Sequence, residues 1–377
     1  MPEAEDPEHF EVLVVGGGPG GSAAATRLAE EGVEVCMIEK RQVVGNPAQC
    51  GECIPGWGEM TEAFPLMKDD PWLESYWEFP DHILAQYLGW MRVFSPKMRE
   101  YSFELDCYGA HRLQFDGHLA DRAVTAGVDL RIGHELRKVQ KQPKLDREVY
   151  RTNQGSFTAD HVIDASGSLA HIARLRGTGE RPKTQLPTLY CQVEGHQTDS
   201  FDIFLGNIAP GGYAWIIPKG DIANVGIGIK HSKIDRPLKQ WLDGFCNNLG
   251  LTPLSYGGGW IPIGGKVRKC VTDNVLAVGD AASLVMPSNG GGIGQAIVSG
   301  KMAADAILAN REQGTSLEMY DDSLNRMMRK QLRISTRTKG MFWHLCRNDF
   351  ITEVGLRILG TNGVRRAVDC RRPFLFL

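Results

Sequence analysis

Glu11-Val-Leu-Val-Val-Gly16-Gly17-Gly18-Pro19-Gly20-Gly21-Ser22 carries the decision about the fold. Residues 11–15 form a short Val-rich run that ends in glycine, the pattern of a buried parallel strand. The glycines then fit G-x-G-x-x-G, and residues 20–31 follow with Ala and Leu at helical spacing until Gly32. Residues 33–38 read as a second strand, so a βαβ unit occupies about 30 residues. In such a unit Gly16 makes the tight turn and Gly18 lets backbone approach a pyrophosphate. Pro19 falls within the same motif, and Gly21 permits close helix–strand packing. Glu39 ends the second strand, 18 residues after Gly21, where a carboxylate can bind ribose hydroxyls and repel a 2′-phosphate. A glycine loop alone could be a mere turn. Strand, helix, second strand and terminal acid in order point to a dinucleotide site.

A second signal lies far downstream. Asn274-Val-Leu-Ala-Val-Gly279-Asp280 reads as a buried strand ending in a carboxylate at its C-terminal edge, where α/β sheets bind ligands. Asn289-Gly290-Gly291-Gly292-Ile293 then leads into a helix over 292–310, whose N-terminal amides can stabilise negative charge. NAD needs no such second element. FAD, longer by a ribityl arm, does, so the pair points to FAD.

Between these signals, residues 45–58 are a Gly-, Pro- and Cys-rich loop, 61–107 are rich in aromatics, and 113–126 read as a helix. Strands are expected over 128–132 and 161–165. Residues 186–229 alternate in the strand manner, with a hairpin turn at Lys219-Gly220-Asp221. Within that stretch Tyr213 and Trp215 are two apart and share a strand face, as core or as a ligand-facing pair. Cys50-Gly51-Glu52-Cys53 is a C-x-x-C, open to three readings: a redox dithiol, half a zinc site, or two packed thiols. Zinc takes about four ligands and there is no second C-x-x-C, so no metal is expected.

The bulk numbers fit. At 377 residues, with 42% hydrophobic and 23% charged, the chain suits two globular domains plus an appendage. No run approaches the roughly 20 apolar residues of a membrane span, and the acidic N-terminus lacks the features of a signal peptide. Nine cysteines without an export signal read as reduced thiols, hence a soluble, cytoplasmic protein. The net charge of −3 is uneven: residues 326–377 hold 12 Lys/Arg and three acids. Arg326, Arg329, Lys330, Arg333 and Arg337 fall on one helical face, either a solvated stripe or a contact for an anionic membrane surface; nothing supports a nucleic-acid partner.

The glycine motif, Glu39 and Gly279-Asp280 together resemble the FAD-binding superfamily that includes the aromatic hydroxylases. Within it the chain is most similar to the geranylgeranyl reductase family, particularly archaeal reductases that saturate membrane-lipid precursors. The resemblance rests on Cys50-Gly51-Glu52, Arg112-Leu-Gln-Phe-Asp116, Leu119-Ala120, Tyr213-Ala-Trp215-Ile-Ile-Pro218, Gly226-Ile-Gly228, Val278-Gly-Asp-Ala-Ala282 and Gly290-Gly-Gly-Ile293, over residues 11–309. It implies FAD contacts at Gly21, Glu39, Cys50, Gly51, Arg112, Leu136, Asp280, Gly292 and Ile293. It also implies an isoprenoid cavity at Tyr213, Trp215 and Pro218, and Cys50 as the catalytic proton donor or positioning group. Ala165-Ser166-Gly167 stands where relatives commonly have Asp-Gly.

The expected architecture is α/β: a Rossmann-type FAD-binding domain from 9–60, 108–185 and 268–325, a mainly β substrate domain from 61–107 and 186–267, and a helical basic tail over 326–377. The expected activity is reduction of C=C bonds in geranylgeranyl chains, with ferredoxin or NAD(P)H as electron donor. A flavin monooxygenase or halogenase, and an electron-transfer flavoprotein, stay open beside it.

Overall fold

The computed structural model describes residues 6–142, 147–177, 179–196, 198–346 and 348–371. The start of the acidic N-terminus, and Arg347 and Arg372 of the basic tail, lie outside the described residues.

Two sheets of eight strands each organise the chain. In the first, β1 (Glu8–Val15) lies between β2 (Val35–Glu39) and β9 (Ser156–Asp164), with β6 (Asp129–Ile132) outside β2 and β16 (Val275–Ala277) and β15 (Val271–Thr272) outside β9. The hairpin β7 (Leu136–Gln142) and β8 (Arg147–Thr152) attaches to β9. The five central strands run parallel, and β2 is buried at every position because helices cover one face and the β7–β8 hairpin with α5 the other. Chain order reverses on either side of β1, which makes its C-terminal end the switch point where such sheets take ligands.

Helix α1 (Pro19–Glu30) has Pro at its first position and a small-residue face, and packs on α7 (Ile293–Gln313) almost backbone to backbone. A Cβ on Gly300 would meet the Gly20 carbonyl oxygen at 2.2 Å. Their shared core also holds α2 (Trp57–Ala63), α3 (Pro71–Tyr76) and α4 (Arg112–Thr125) through Met60, Leu73, Phe115 and Leu119. The short α5 (His171–Arg176) follows β9.

The second sheet runs β14 (Pro253–Pro262), β10 (Gln185–Glu194), β13 (Ile222–Gly228), β12 (Tyr213–Lys219), β11 (Ser200–Phe204), β4 (Gln86–Phe94), β5 (Glu100–Gly109) and β3 (Cys53–Pro55). The 219–221 turn does join β12 to β13, with Gly220 at φ 79°. Side chains alternate as strand geometry requires. Ala214, Ile216, Val225 and Ile227 pack on α6 (Leu238–Asn248), while Trp215 and Ile217 join Leu88, Cys107 and Tyr190 on the opposite face.

The basic tail is helical: α8 (Met319–Leu345), then α9 (Asp349–Val368), interrupted at Gly360. No helix among the described residues is long and apolar enough to cross a membrane.

Candidate functional site

The ends of the parallel strands supply a cleft made of backbone. A Cβ on Gly16 would meet the Ala165 carbonyl oxygen at 2.3 Å, and one on Gly21 the Gly16 carbonyl oxygen at 1.9 Å. One on Gly18 would meet nothing within 4 Å. Gly18 caps α1 and Gly292 caps α7, neither with a side chain on the helix amides, which leaves two positive helix ends without a side-chain cap and open space beside Gly18. Glu39 is buried at the end of β2, accepting from Gly17 N (3.0 Å) and Arg41 N (2.9 Å). Asp280 follows β16 at the mouth of α7, 3.3 Å from where a Gly292 Cβ would lie. Burial pushes its carboxyl up to about 6, opposed by Arg112. Arg112 is held in turn by a bidentate pair with Asp116 at 2.7 and 2.9 Å.

The loop after β2 crosses from this cleft to the second sheet. Glu52 adopts φ 69° and is 3% exposed, so its carboxylate needs partners. Lys219 supplies the countercharge, and Asn224 (2.9 Å) and Gln192 (2.8 Å) donate to the same oxygen. Burial alone would raise this carboxyl; those three partners outweigh it and hold it below its ordinary range. Asn224 also donates to the Cys50 carbonyl (3.2 Å) and accepts from Trp215 Nε1 (2.8 Å). The ion pair thereby ties the Cys50–Glu52 turn to the sheet. The Cys50 thiol accepts from Glu52 N at 3.2 Å. Burial raises it above the usual thiol range, with Arg112 opposing, so it keeps its proton at neutral pH.

Beyond Trp215 the site becomes apolar. Tyr213 donates to the Asn289 carbonyl (2.6 Å), bracing the glycine loop ahead of α7. Burial, and then the nearby Cys50 and Cys53, hold its hydroxyl above the ordinary tyrosine range. An apolar cavity, partly open to solvent, is lined by Tyr213, Val93, Ile203, Leu205 and Ile263, by Phe342 and Trp343 of α8 and by Val364 and Val368 of α9.

Comparison with known proteins gives this arrangement its relatives. Residues 11–207 match the FAD dependent oxidoreductase family and residues 184–253 the geranylgeranyl reductase catalytic domain. The chain is 31% identical over 338 residues to digeranylgeranylglycerophospholipid reductase of Methanocaldococcus jannaschii, covering 83% of this chain and 81% of that one. It is 33% identical over 361 residues to the protein of the same name from Thermoplasma volcanium, 86% of each. The chain belongs to the geranylgeranyl reductase family.

As a geranylgeranyl reductase family member it is an FAD-dependent oxidoreductase. A geranylgeranyl bacteriochlorophyll reductase-like protein of Thermoplasma acidophilum has the same fold, at TM-score 0.82 and 26% identity over 98% of this chain and 94% of that one. A flavin-dependent brominase, at TM-score 0.69 and 18% identity over 96% and 94%, shares the fold. The family implies FAD, and the residues present fit it. Two uncapped helix N-termini, a glycine turn open at Gly18, a ribose-side acid at Glu39 and a second acid at Asp280 would hold its phosphates and sugar alcohols.

The structure gathers Gly16, Gly18, Pro19, Gly21 and Glu39 around the end of β1, brings Cys50 and Asp280 beside Arg112, sets Gly51 against Trp215 and Gly292 near Asp280, and puts Ile293 at the start of α7. Leu136 is buried in one cluster with Val15, Ile38, Tyr150 and Phe157, and its carbonyl lies 2.7 Å from His171 Nε2. Pro218 is one residue out of phase with Tyr213 and Trp215, so strand alternation turns it to the other face. The turn at 165–167 has its acid one position earlier: buried Asp164, at the end of β9, accepts from Ser166 N (3.1 Å). All nine cysteines are free thiols, and Cys53 lies against Cys107 of β5, not Cys50. No group of three or more His, Cys, Asp or Glu among the described residues could hold a metal.

Two contributions escaped the sequence reading. Lys219, Asn224 and Gln192 carry no motif and meet Glu52 only through strand register. The tail helices, read for their charge, also wall the cavity; Phe342, Trp343 and Cys346, with Val364, Ala367 and Val368, at spacings of one to four residues, were the available signal.

Proposed function

We propose that this protein saturates isolated C=C bonds in the geranylgeranyl chains of an isoprenoid phospholipid. The observation that carries the reading is the apolar cavity lined by Tyr213, on the strand whose Trp215 packs against Gly51 beside Cys50. An isoprenoid chain is a slender apolar ligand, and a walled groove lets it present one double bond at a fixed place. FAD, when bound, supplies the hydride for one alkene carbon. An isolated alkene accepts hydride poorly, so a proton must reach the other carbon, and Cys50 holds one at Sγ. Arg112 and the Glu52 N–H orient that thiol; the Glu52–Lys219 pair fixes the turn that carries it. Tyr213 and Trp215, with ring centroids 5.9 Å apart, form the platform that places the chain.

Anaerobic reduction of the holoprotein with dithionite in the presence of geranylgeranyl phospholipid, followed by mass spectrometry, tests this without a natural donor. The expected product gains one hydrogen pair per saturated bond as the flavin reoxidises; flavin that stays reduced over unchanged lipid rejects the reading. Cys50→Ala should slow saturation by about 100-fold with flavin content intact. Full activity in that variant would remove the thiol from the proton path.

A further inference from the structure

Five lysines among the described residues are at least half-buried: Lys219, Lys230, Lys266, Lys301 and Lys339. Taking an ammonium group out of water is costly unless an anion faces it. Three obey that rule: Lys219 pairs with Glu52, Lys266 with Asp321 at 2.6 Å, and Lys301 with Asp70 at 2.5 Å and Asp305 at 2.8 Å. Lys230 and Lys339 have no carboxylate partner among the described residues. They also share one place. Both ammonium groups sit over the Trp343 ring, Lys230 at 4.1 Å and Lys339 at 4.9 Å from its centroid.

That ring and Lys339 line the apolar cavity that Tyr213 also lines. Lys339 donates to the Ile263 carbonyl, which fixes its head without neutralising it. Lys230 is anchored where β13 ends, its N–H donating to the Pro210 carbonyl at 3.1 Å and its Cβ close against Gly211. Burial, then the neighbouring Lys230, pushes Lys339 below its ordinary range, the sign of two cations without an anion. A ligand matching both features has an apolar chain and an anionic head.

We infer that Lys230 and Lys339, bracketing Trp343, bind the phosphate-bearing headgroup of the lipid whose chain fills the cavity. This rests on the reductase reading for the identity of the chain, while the charge requirement stands on the lysines alone. The site adds affinity for a charged head at the wall formed by α8 and the end of β13, while the apolar lining takes the chain. Lipids without a phosphate lose the anchor.

The test is equilibrium binding to the oxidised holoprotein, by calorimetry, of geranylgeranyl diphosphate, of geranylgeraniol and of inorganic phosphate. Lys230→Met and Lys339→Met should each weaken diphosphate binding about tenfold, leave the alcohol unchanged, and Lys339→Arg should restore most of the loss. In the wild-type protein, added salt should weaken the diphosphate and not the alcohol. Equal affinity for both lipids in all proteins overturns the site, as does inorganic phosphate binding as tightly as the diphosphate. Mass spectrometry of the same lipids after reduction separates the two ideas. Saturation without lysine dependence removes the headgroup site and keeps the reductase; lysine-dependent binding without saturation does the reverse.

Discussion

At the cofactor cleft an added methyl group on Gly16, Gly21 or Gly300 would strike a carbonyl oxygen at 2.3 Å or less. In the cavity beside it the walls are side chains, Leu205, Ile263, Phe342, Trp343 and Val364, brought from segments more than 150 residues apart. The two regions meet at Tyr213, which braces the glycine loop with its hydroxyl and lines the cavity. A nucleotide is held by backbone amides and helix ends, so its site demands that particular side chains be missing. A prenyl chain is held by shape, which many combinations of apolar residues can supply. The first kind of site tolerates almost no change and the second tolerates much.

Breaking the backbone cleft should therefore cost most. Gly21→Val should lose bound flavin altogether and lower stability by more than about 3 kcal/mol, read by flavin absorbance after desalting and by urea unfolding. Retained flavin would show that the α1 turn can open without loss and would weaken the contrast. Cavity exchanges of similar volume, such as Phe342→Leu, should stay within about 1.5 kcal/mol.

The seam between the regions comes next. Lys219→Met leaves Glu52 buried without its countercharge and should cost about 3–5 kcal/mol in urea unfolding, much of it recovered by adding Glu52→Gln. The sign with pH follows from the lowered Glu52 carboxyl: its stabilisation is full above the ordinary value of about 4.3 and is lost as pH falls below it. A variant that unfolds like the wild type at pH 7 would detach the ion pair from the stability of the turn.

A smaller effect sharpens the cleft itself. Asp280 has a raised carboxyl, near 6, so ionising it opposes folding. In flavin-free protein, Asp280→Asn should add about 3 kcal/mol above pH 6 and nothing below about pH 3, where the acid is neutral in both states. The same variant should bind flavin less well. Smallest of all, reversing Arg329 and Arg333 on the exposed face of α8 should change stability by no more than about 0.5 kcal/mol. Flotation with anionic liposomes should fall if that face meets a membrane; equal flotation with neutral liposomes assigns the stripe to solvent.

The legibility of each region follows the same division. Gly16 to Gly21, Glu39 and Gly279-Asp280 could be read directly, because backbone approach leaves glycine and an acid at fixed offsets from a strand end. The pairing of Cys50 with Cys53 in a C-x-x-C was also visible but uninformative. The chain turns between them at Glu52, and β3 carries Cys53 to Cys107. Leu136 and Pro218 entered through the resemblance alone; alternation turns Pro218 away from the face of Tyr213 and Trp215, and only the packed sheet decides what each face meets.

By itself the sequence determined a βαβ opening, a second acid-terminated strand, an α/β nucleotide fold and a basic helical tail, since each is written in short-range spacing. Tertiary structure alone decided that Lys219, Asn224 and Gln192 converge on Glu52, that α8 and α9 close the cavity, and that Lys230 and Lys339 share the Trp343 ring. The physical reason is range. Dihedral preferences and glycine contacts act within a few residues, whereas a buried charge or an apolar wall is satisfied by whatever partner the packed sheets bring near, however distant along the chain.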